Sequence, residues 1–291
     1  MAKIGWIGTG VMGKSMAQHL LKAGNTLFVY NRSMEKTQEL VSQWAEIASP
    51  ENMAQNCDIV FTIIGTPDDV REMYLWQNWL IAHGKKWQIF VDMTTTEPSL
   101  VLEIGKRCEE KGIEFLDAPV SGGDVWARNA TLAIMVWWKQ EIYDRVLPFF
   151  QLLWKNIVLE WNVWAWQHTK MCNQIAIAWS MIGMCESLLY AQKAWLDEQK
   201  VIDIISKWAA GSWSLDNLAP RILRWEFDTW FYVKHFVKDM GIALHEARRM
   251  KAILPWLALV HQLYVSIIAE GGENLWTQAL IKVLRKLNNI S

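Results

Sequence analysis

The run Gly8-Thr9-Gly10-Val11-Met12-Gly13 constrains the fold more than any other part of this 291-residue chain. It follows Lys3-Ile4-Gly5-Trp6-Ile7, an apolar run that reads as a strand. It precedes a stretch from Lys14 to Leu21 in which apolar residues recur at helical spacing. Strand, glycine turn and helix in that order make a phosphate cradle. The first glycine permits the tight turn, the second lets the backbone approach a pyrophosphate, and the third lets helix and strand pack closely, with helix N–H groups facing the anion. Gly8, Gly10, Val11, Met12 and Gly13 are therefore candidate cofactor contacts. The bare pattern also arises in ordinary glycine turns, so its flanking strand and helix carry the reading.

Up to about residue 160, short apolar runs alternate with amphipathic stretches. Ile4–Ile7, Leu27–Tyr30, Ile59–Ile64, Ile89–Asp92, Phe115–Asp117 and Leu132–Val136 read as strands. Ser33–Gln43, Pro67–Tyr74 and Ser99–Lys111 read as helices between them. The alternation predicts βαβ units and a parallel sheet with right-handed connections. Beyond about residue 165, helical periodicity dominates over Gln167–Lys193, Glu198–Lys207, Val233–Lys251 and Leu257–Glu270. The expected fold is an α/β Rossmann-like N-terminal domain (1–163) plus an all-α C-terminal domain (164–291), with the active site between them.

The end of the second strand discriminates between cofactors. NAD enzymes hold the ribose 2′-hydroxyl with an acidic residue there. This chain has Asn31-Arg32-Ser33 instead. Arg32 can pair with a 2′-phosphate through a charge-assisted fork, with hydrogen bonds from Asn31 and Ser33. NADP is expected over NAD, although Ser33 also suits an N-cap and Arg32 a surface charge. Ile64, Gly65 and Thr66 sit at a further strand end facing the same expected crevice.

With 29 basic and 30 acidic residues, the formal charge is −1, and nothing points to nucleic acid. The four cysteines form no close metal-type pair and read as reduced thiols, which places the protein in the cytoplasm. A strand begins at once, so no signal peptide is expected. The longest apolar run, Ile175–Met184, is too short to span a bilayer, so no membrane association is expected.

Tryptophan is the compositional anomaly, with 20 residues against 16 glycines. Many stand where turn chemistry asks for glycine, as in Lys86-Trp87-Gln88, Trp137-Trp138-Lys139, Trp161-Asn-Val-Trp164-Ala-Trp166 and at Trp195. A bulky residue adopts positive φ only at a cost. The pattern reads as glycine positions filled by tryptophan, and it predicts positive φ at Trp87, Trp137 and Trp195. A naturally Trp-rich core is the competing reading.

At this point the chain resembles the β-hydroxyacid dehydrogenases, the family that contains 3-hydroxyisobutyrate dehydrogenase and tartronate semialdehyde reductase. The resemblance spans nearly the whole chain. It rests on the N-terminal glycine motif, on Asp117-Ala-Pro-Val-Ser121-Gly122-Gly123, on Gln167-His-Thr-Lys170-Met-Cys-Asn173-Gln174, and on Phe231 through Lys238-Asp239.

The resemblance implies substrate binding at Ser121, Gly122 and Gly123, whose small residues and hydroxyl suit a carboxylate or a plain strand-ending turn. It places Thr95 near the nicotinamide and Lys238 at the cofactor end of the cleft, with Asp239 pairing structurally. Thr94 and Thr96 equally suit helix caps. Lys170 and Asn173 lie three apart on one helix and project from one face. A lysine beside a cofactor cleft can act as general acid or base; on the residues alone a solvated lysine is the favoured reading. With the resemblance, Lys170 and Asn173 are the expected catalytic residues and His168 a structural neighbour.

The expected function is NAD(P)-dependent interconversion of a small 3-hydroxy acid and its semialdehyde, with no metal. The partners would be that substrate and further copies of the chain, in a homodimer or homotetramer. The alternatives are a catalytically impaired or non-catalytic nucleotide-binding protein of the same fold, or an imine reductase-like enzyme. The family generally has glycine where this chain has Trp126, Trp137, Trp138, Trp164 and Trp166, which bears on activity more than on fold.

Overall fold

The computed structural model describes residues 2–121, 124–136, 140–159, 165–227 and 231–290, with backbone alone for 124–125, 132–136, 155–159 and 165–166. The chain divides into two compact units, Met1–Lys170 and Met171–Ser291.

The first unit opens with β1 (Lys3–Ile7), α1 (Val11–Lys22), β2 (Thr26–Tyr30), α2 (Gln38–Val41), β3 (Glu46–Ile47), α3 (Pro50–Asn56) and β4 (Ile59–Thr62). It continues through α4 (Pro67–Leu75), α5 (Leu80–His83), β5 (Ile89–Asp92), α6 (Pro98–Glu110) and β6 (Glu114–Asp117). Then come β7 (Val120–Ser121), α7 (Asp124–Arg128), β8 (Leu132–Val136), α8 (Gln140–Leu153), β9 (Trp154–Leu159) and the start of α9 (Ala165–Lys193). Six strands pair in the order β3-β2-β1-β4-β5-β6, all parallel. The strand order reverses beside β1, and in such sheets ligands bind outside the carboxyl ends at that point. β7, β8 and β9 form a separate sheet, with β7 antiparallel and β9 parallel to β8.

The central strands are apolar on both faces, as a doubly covered sheet requires. Ile4, Trp6, Ile59, Phe61, Ile89 and Val91 face one core, which Met16, Leu20 and Phe150 cover from α1 and α8. The alternate residues Ile7, Val60 and Phe90 face a second core with Met53, Tyr74 and Ile104. Each such side chain contributes roughly 1.5–3 kcal/mol by leaving water.

The second unit adds α10 (Glu198–Ile205), α11 (Trp213–Asn217), α12 (Ala219–Leu223), α13 (Val233–Met250), α14 (Pro255–Ala269) and α15 (Leu280–Leu287). Met181, Leu188, Phe236, Met240, Tyr264 and Leu280 lie in its core. Rossmann-like and helical architecture thus follow one another along the chain as the periodicity predicts.

Several elements differ from the sequence reading. Ser33–Gln43 is a 3-10 turn over Met34–Thr37 followed by the single turn α2, and it buries only Thr37 and Leu40. The short strands β3 and β7, and the longer β9, were not predicted. Helix α9 is long and apolar enough to cross a bilayer by length and composition, although its longest apolar run falls short; half of that stretch is buried within the protein. Trp87 and Trp195 have φ of 71° and 57°, left-handed as predicted, whereas Trp137 lies outside the described residues. Trp44 and Trp225 share that conformation at 77° and 58°.

Candidate active site

The glycine turn has three different steric requirements. Gly8 has φ of 102°, and a Cβ on it would lie 2.0 Å from the Ile63 carbonyl oxygen. A Cβ on Gly13 would lie 2.0 Å from the Gly8 carbonyl oxygen, so helix and turn touch there. A Cβ on Gly10 would meet nothing within 4 Å among the described residues. Gly10 is the N-cap of α1, which has no side-chain cap and no acid in its first turn. Open space over the middle glycine and an uncapped helix start fit a pyrophosphate. The turn is held from beneath: Trp6 Nε1 donates to Gly8 O at 2.9 Å, and Gly8 N donates to Tyr30 O at 2.8 Å. Val11 is exposed, and Met12 packs partly into the core.

At the end of β2, Asn31 is committed to the protein. Its Oδ1 accepts from Thr9 N at 3.0 Å, and its Nδ2 donates to Ser33 O at 2.9 Å. Ser33 stands at the N-cap of the 3-10 turn, but its side chain makes no cap bond. Arg32 pairs with Asp69 Oδ1 at 3.0 Å and is 84% exposed along its side chain. Asp69 also accepts from Thr66 N and Thr66 Oγ1 at 2.9 and 2.8 Å, in a capping box that starts α4 just after Ile64 and Gly65. An exposed pair of this kind is worth at most about 1 kcal/mol, so Arg32 can exchange Asp69 for a phosphate.

Thr62, Asp92 and Asp117 stand in register at the carboxyl ends of β4, β5 and β6, all buried. Thr62 Oγ1 donates to Asp92 Oδ1 at 2.8 Å and lies 2.7 Å from the Tyr74 hydroxyl. Thr94 N donates to Asp92 Oδ1 at 3.1 Å, and Thr94 Oγ1 accepts from Ile64 N at 3.0 Å. Thr94 therefore joins two strand ends and is no helix cap; Glu97 is the N-cap of α6. Thr94 and Thr96 are buried, and Thr95 between them is half-buried.

Gln167 completes this network. Its Nε2 donates to Asp117 Oδ1 at 2.7 Å and to Thr94 O at 3.1 Å, and its Oε1 accepts from Thr96 N at 3.1 Å. Burial pushes the Asp117 carboxyl well above the usual range; the Gln167 bond opposes the shift, and the neighbouring Asp92 charge adds to it. Asp117 Oδ2 is buried without a hydrogen-bond partner among the described residues. Burial thus favours the protonated form of Asp117 more than water does. Sequence reasoning missed Gln167 and the paired strand-end acids as working residues. The signal available to it was an acid closing each of two buried apolar runs.

Lys170 follows Gln167 by one helical turn and is 7% exposed. Asn173, half-buried, comes one turn later and donates to Gln174 Oε1 at 2.8 Å. Gln174 Nε2 donates to Asp239 Oδ2 at 2.7 Å, and Lys238 Nζ lies 3.1 Å from Asp239 Oδ1. Burial and the Lys238 charge push His235 down to about 4 despite Asp239, so His235 is neutral there. Ser121 is half-buried on β7, opposite Ala133 of β8. Gly122 and Gly123 lie outside the described residues, as do Trp138 and Trp164. Trp126 is half-buried in α7 against the first core.

A family model described as the NAD-binding domain of 6-phosphogluconate dehydrogenase matches residues 3–161. A second, described as the NAD-binding domain of NADP-dependent 3-hydroxyisobutyrate dehydrogenase, matches residues 165–284. A 3-hydroxyisobutyrate dehydrogenase-like protein of Arabidopsis thaliana is 47% identical over 291 residues, covering 99% of this chain and 87% of the relative. An uncharacterised oxidoreductase of Bacillus subtilis is 46% identical over 283 residues, covering 96% of this chain and 98% of the relative. The structure of 3-hydroxyisobutyrate dehydrogenase from Mycobacterium tuberculosis with L-serine superposes with a TM-score of 0.90 at 25% identity, covering 98% of this chain and 99% of that one.

Proposed function

The chain belongs to the β-hydroxyacid dehydrogenase family of nicotinamide-dependent oxidoreductases, and from that premise we propose that it interconverts a small 3-hydroxy acid and its semialdehyde, with NADP as cofactor and Lys170 as the general acid–base. The observation that carries this reading is Lys170 itself. It is a buried lysine, one turn beyond a glutamine that is hydrogen-bonded into the strand ends.

Gly8, Gly10 and Gly13 with the start of α1 would hold the pyrophosphate. Arg32 and Ser33 would hold a 2′-phosphate, and Asn31 shapes the loop that carries them. Ile64, Gly65, Thr66, Thr95 and Lys238 complete the proposed cofactor contacts. A nicotinamide held there would supply the hydride acceptor for the alcohol carbon in oxidation and the hydride donor for the aldehyde carbon in reduction. In oxidation, Lys170 Nζ would take the proton of the substrate hydroxyl. In reduction it gives the proton to the developing alkoxide. Asn173 orients the hydroxyl or carboxylate, and Ser121 with Gly122 and Gly123 receives the substrate carboxylate. The family's relatives support the substrate class, and Arg32, in a loop without an acid, supports NADP.

The test is cofactor oxidation with a panel of three- and four-carbon semialdehydes, using NADPH and NADH separately. Reduction of at least one semialdehyde, faster with NADPH, is the expected result. Nucleotide binding with no semialdehyde reduced would select the non-catalytic nucleotide-binding reading instead.

A further inference from the structure

Four tryptophans stand where the backbone is left-handed: Trp44, Trp87, Trp195 and Trp225, with φ of 77°, 71°, 57° and 58°. In that region an L side chain crowds the adjoining carbonyl, so glycine fills it readily and a bulky aromatic residue is an outlier.

Three of them close a helix in one way. Trp44 N donates to Val41 O while Ala45 N donates to Leu40 O. Trp195 N donates to Gln192 O while Leu196 N donates to Ala191 O. Trp225 N donates to Ile222 O while Glu226 N donates to Arg221 O. This pairing is the Schellman helix end, whose left-handed residue is usually glycine. The same chain uses glycine in the same motif at Gly112 and Gly271. Trp87 is the third residue of a turn closed by Gln88 N donating to Lys85 O at 3.1 Å, and positive φ at that place calls for glycine or asparagine.

Packing offers Trp44 and Trp195 little in return, whereas Trp225 packs edge-on against Phe227 with ring centroids 5.0 Å apart and lies beneath Lys282 and Arg285, and Trp87 lies beneath Lys86. Trp44 and Trp195 are 91% and 95% exposed, and Trp87 and Trp225 are more than half exposed. Trp6 is the opposite case. It is fully buried, stacks on Phe61 with ring centroids 5.5 Å apart, and donates its indole N–H to Gly8 O. Trp6 is thus a tryptophan whose indole the fold uses, whereas at 44, 87, 195 and 225 the backbone adopts a conformation that glycine fills most readily, although Lys251 and Asn289 also adopt it at helix ends.

We propose that positions 44, 87, 195 and 225 are glycine in the cell that makes this protein, because the codon at these positions, read as tryptophan in one version of the genetic code, is translated there as glycine, whereas position 6 is tryptophan in both. UGA fits this requirement: it serves as stop, tryptophan or glycine in different codes, and it differs from the glycine codon GGA only in its first base.

Tandem mass spectrometry of the protein isolated from its own cells tests this directly. The peptides are expected to carry glycine at 44, 87, 195 and 225 and tryptophan at 6, with one codon in the gene at the four positions and UGG at position 6. Tryptophan at the four positions in the native peptides overturns the proposal. A recombinant pair supplies a second measurement: the chain with tryptophan against the variant carrying Trp44→Gly, Trp87→Gly, Trp195→Gly and Trp225→Gly. The glycine form is expected to melt several degrees higher. An equal or lower melting temperature overturns the conformational argument.

Discussion

The Gln167 side-chain amide donates to Asp117 Oδ1 at 2.7 Å, linking the first turns of α9 to the end of β6 across 50 residues of sequence. The same amide bonds Thr94 O and Thr96 N, so one side chain fixes the start of the helix that carries Lys170 to two strand ends. Gln167→Leu keeps the volume and removes three hydrogen bonds, leaving buried polar groups unmatched at about 1–3 kcal/mol each. We expect a loss of roughly 3 kcal/mol in urea unfolding and a fall in kcat larger than any rise in KM. A variant within about 0.5 kcal/mol of the parent would show that the network is not structural.

Asp117 makes stability depend on pH. Its folded pKa is raised above the unfolded value, so the fold binds the proton more tightly than the unfolded chain does. That contribution is complete below the unfolded pKa, near 3.9, and is lost as pH rises toward the folded pKa. Asp117→Asn keeps an acceptor for Gln167 and abolishes the titration. The stability of the variant relative to the parent is expected to be greater at pH 8 than at pH 5 in thermal melts. A difference that does not change with pH would refute the raised carboxyl pKa.

The glycine turn separates folding from binding. Gly8→Ala drives a methyl group against the Ile63 carbonyl oxygen at 2.0 Å and is expected to unfold the turn. Gly10→Ala adds a methyl with no atom of the described residues within 4 Å. It should leave the melting temperature nearly unchanged and weaken nucleotide binding at least about tenfold, since the middle glycine gives the pyrophosphate its approach. Calorimetry on both variants checks the contrast; unchanged nucleotide affinity in Gly10→Ala would remove the cradle from the account.

Arg32 is expected to set cofactor preference. Arg32→Ala removes a charge-assisted bond to a 2′-phosphate, worth about 1.5–3 kcal/mol, and should raise the KM for NADPH by roughly 10- to 100-fold while leaving NADH within about twofold. Equal effects on the two cofactors would place Arg32 outside the discrimination.

Much of this architecture is legible in the chain because its signals are local. The strands β1, β2, β4, β5 and β6 are buried apolar runs, and the glycine turn announces the helix after it. β3 escapes notice because it is two exposed residues long, and β7 because it is equally short. The Thr62–Asp92–Asp117 row is visible only when three strands lie in register. Gln167 reads as one more polar residue near a helix start until its partners, 50 to 73 residues away, come beside it. Trp87 and Trp195 betray their glycine-like positions through neighbouring turn residues. Trp44 and Trp225 close their helices by the same backbone bonds as Trp195 but have no such neighbours in the sequence.

The central claim is that Lys170 transfers the proton, and single-turnover reduction of a semialdehyde by enzyme saturated with NADPH tests it most directly. Lys170→Ala is predicted to bind nucleotide as the parent does and to slow the reduction by about 100- to 10,000-fold, the range of general acid–base catalysis. A rate within about threefold of the parent, well below that range, would contradict it.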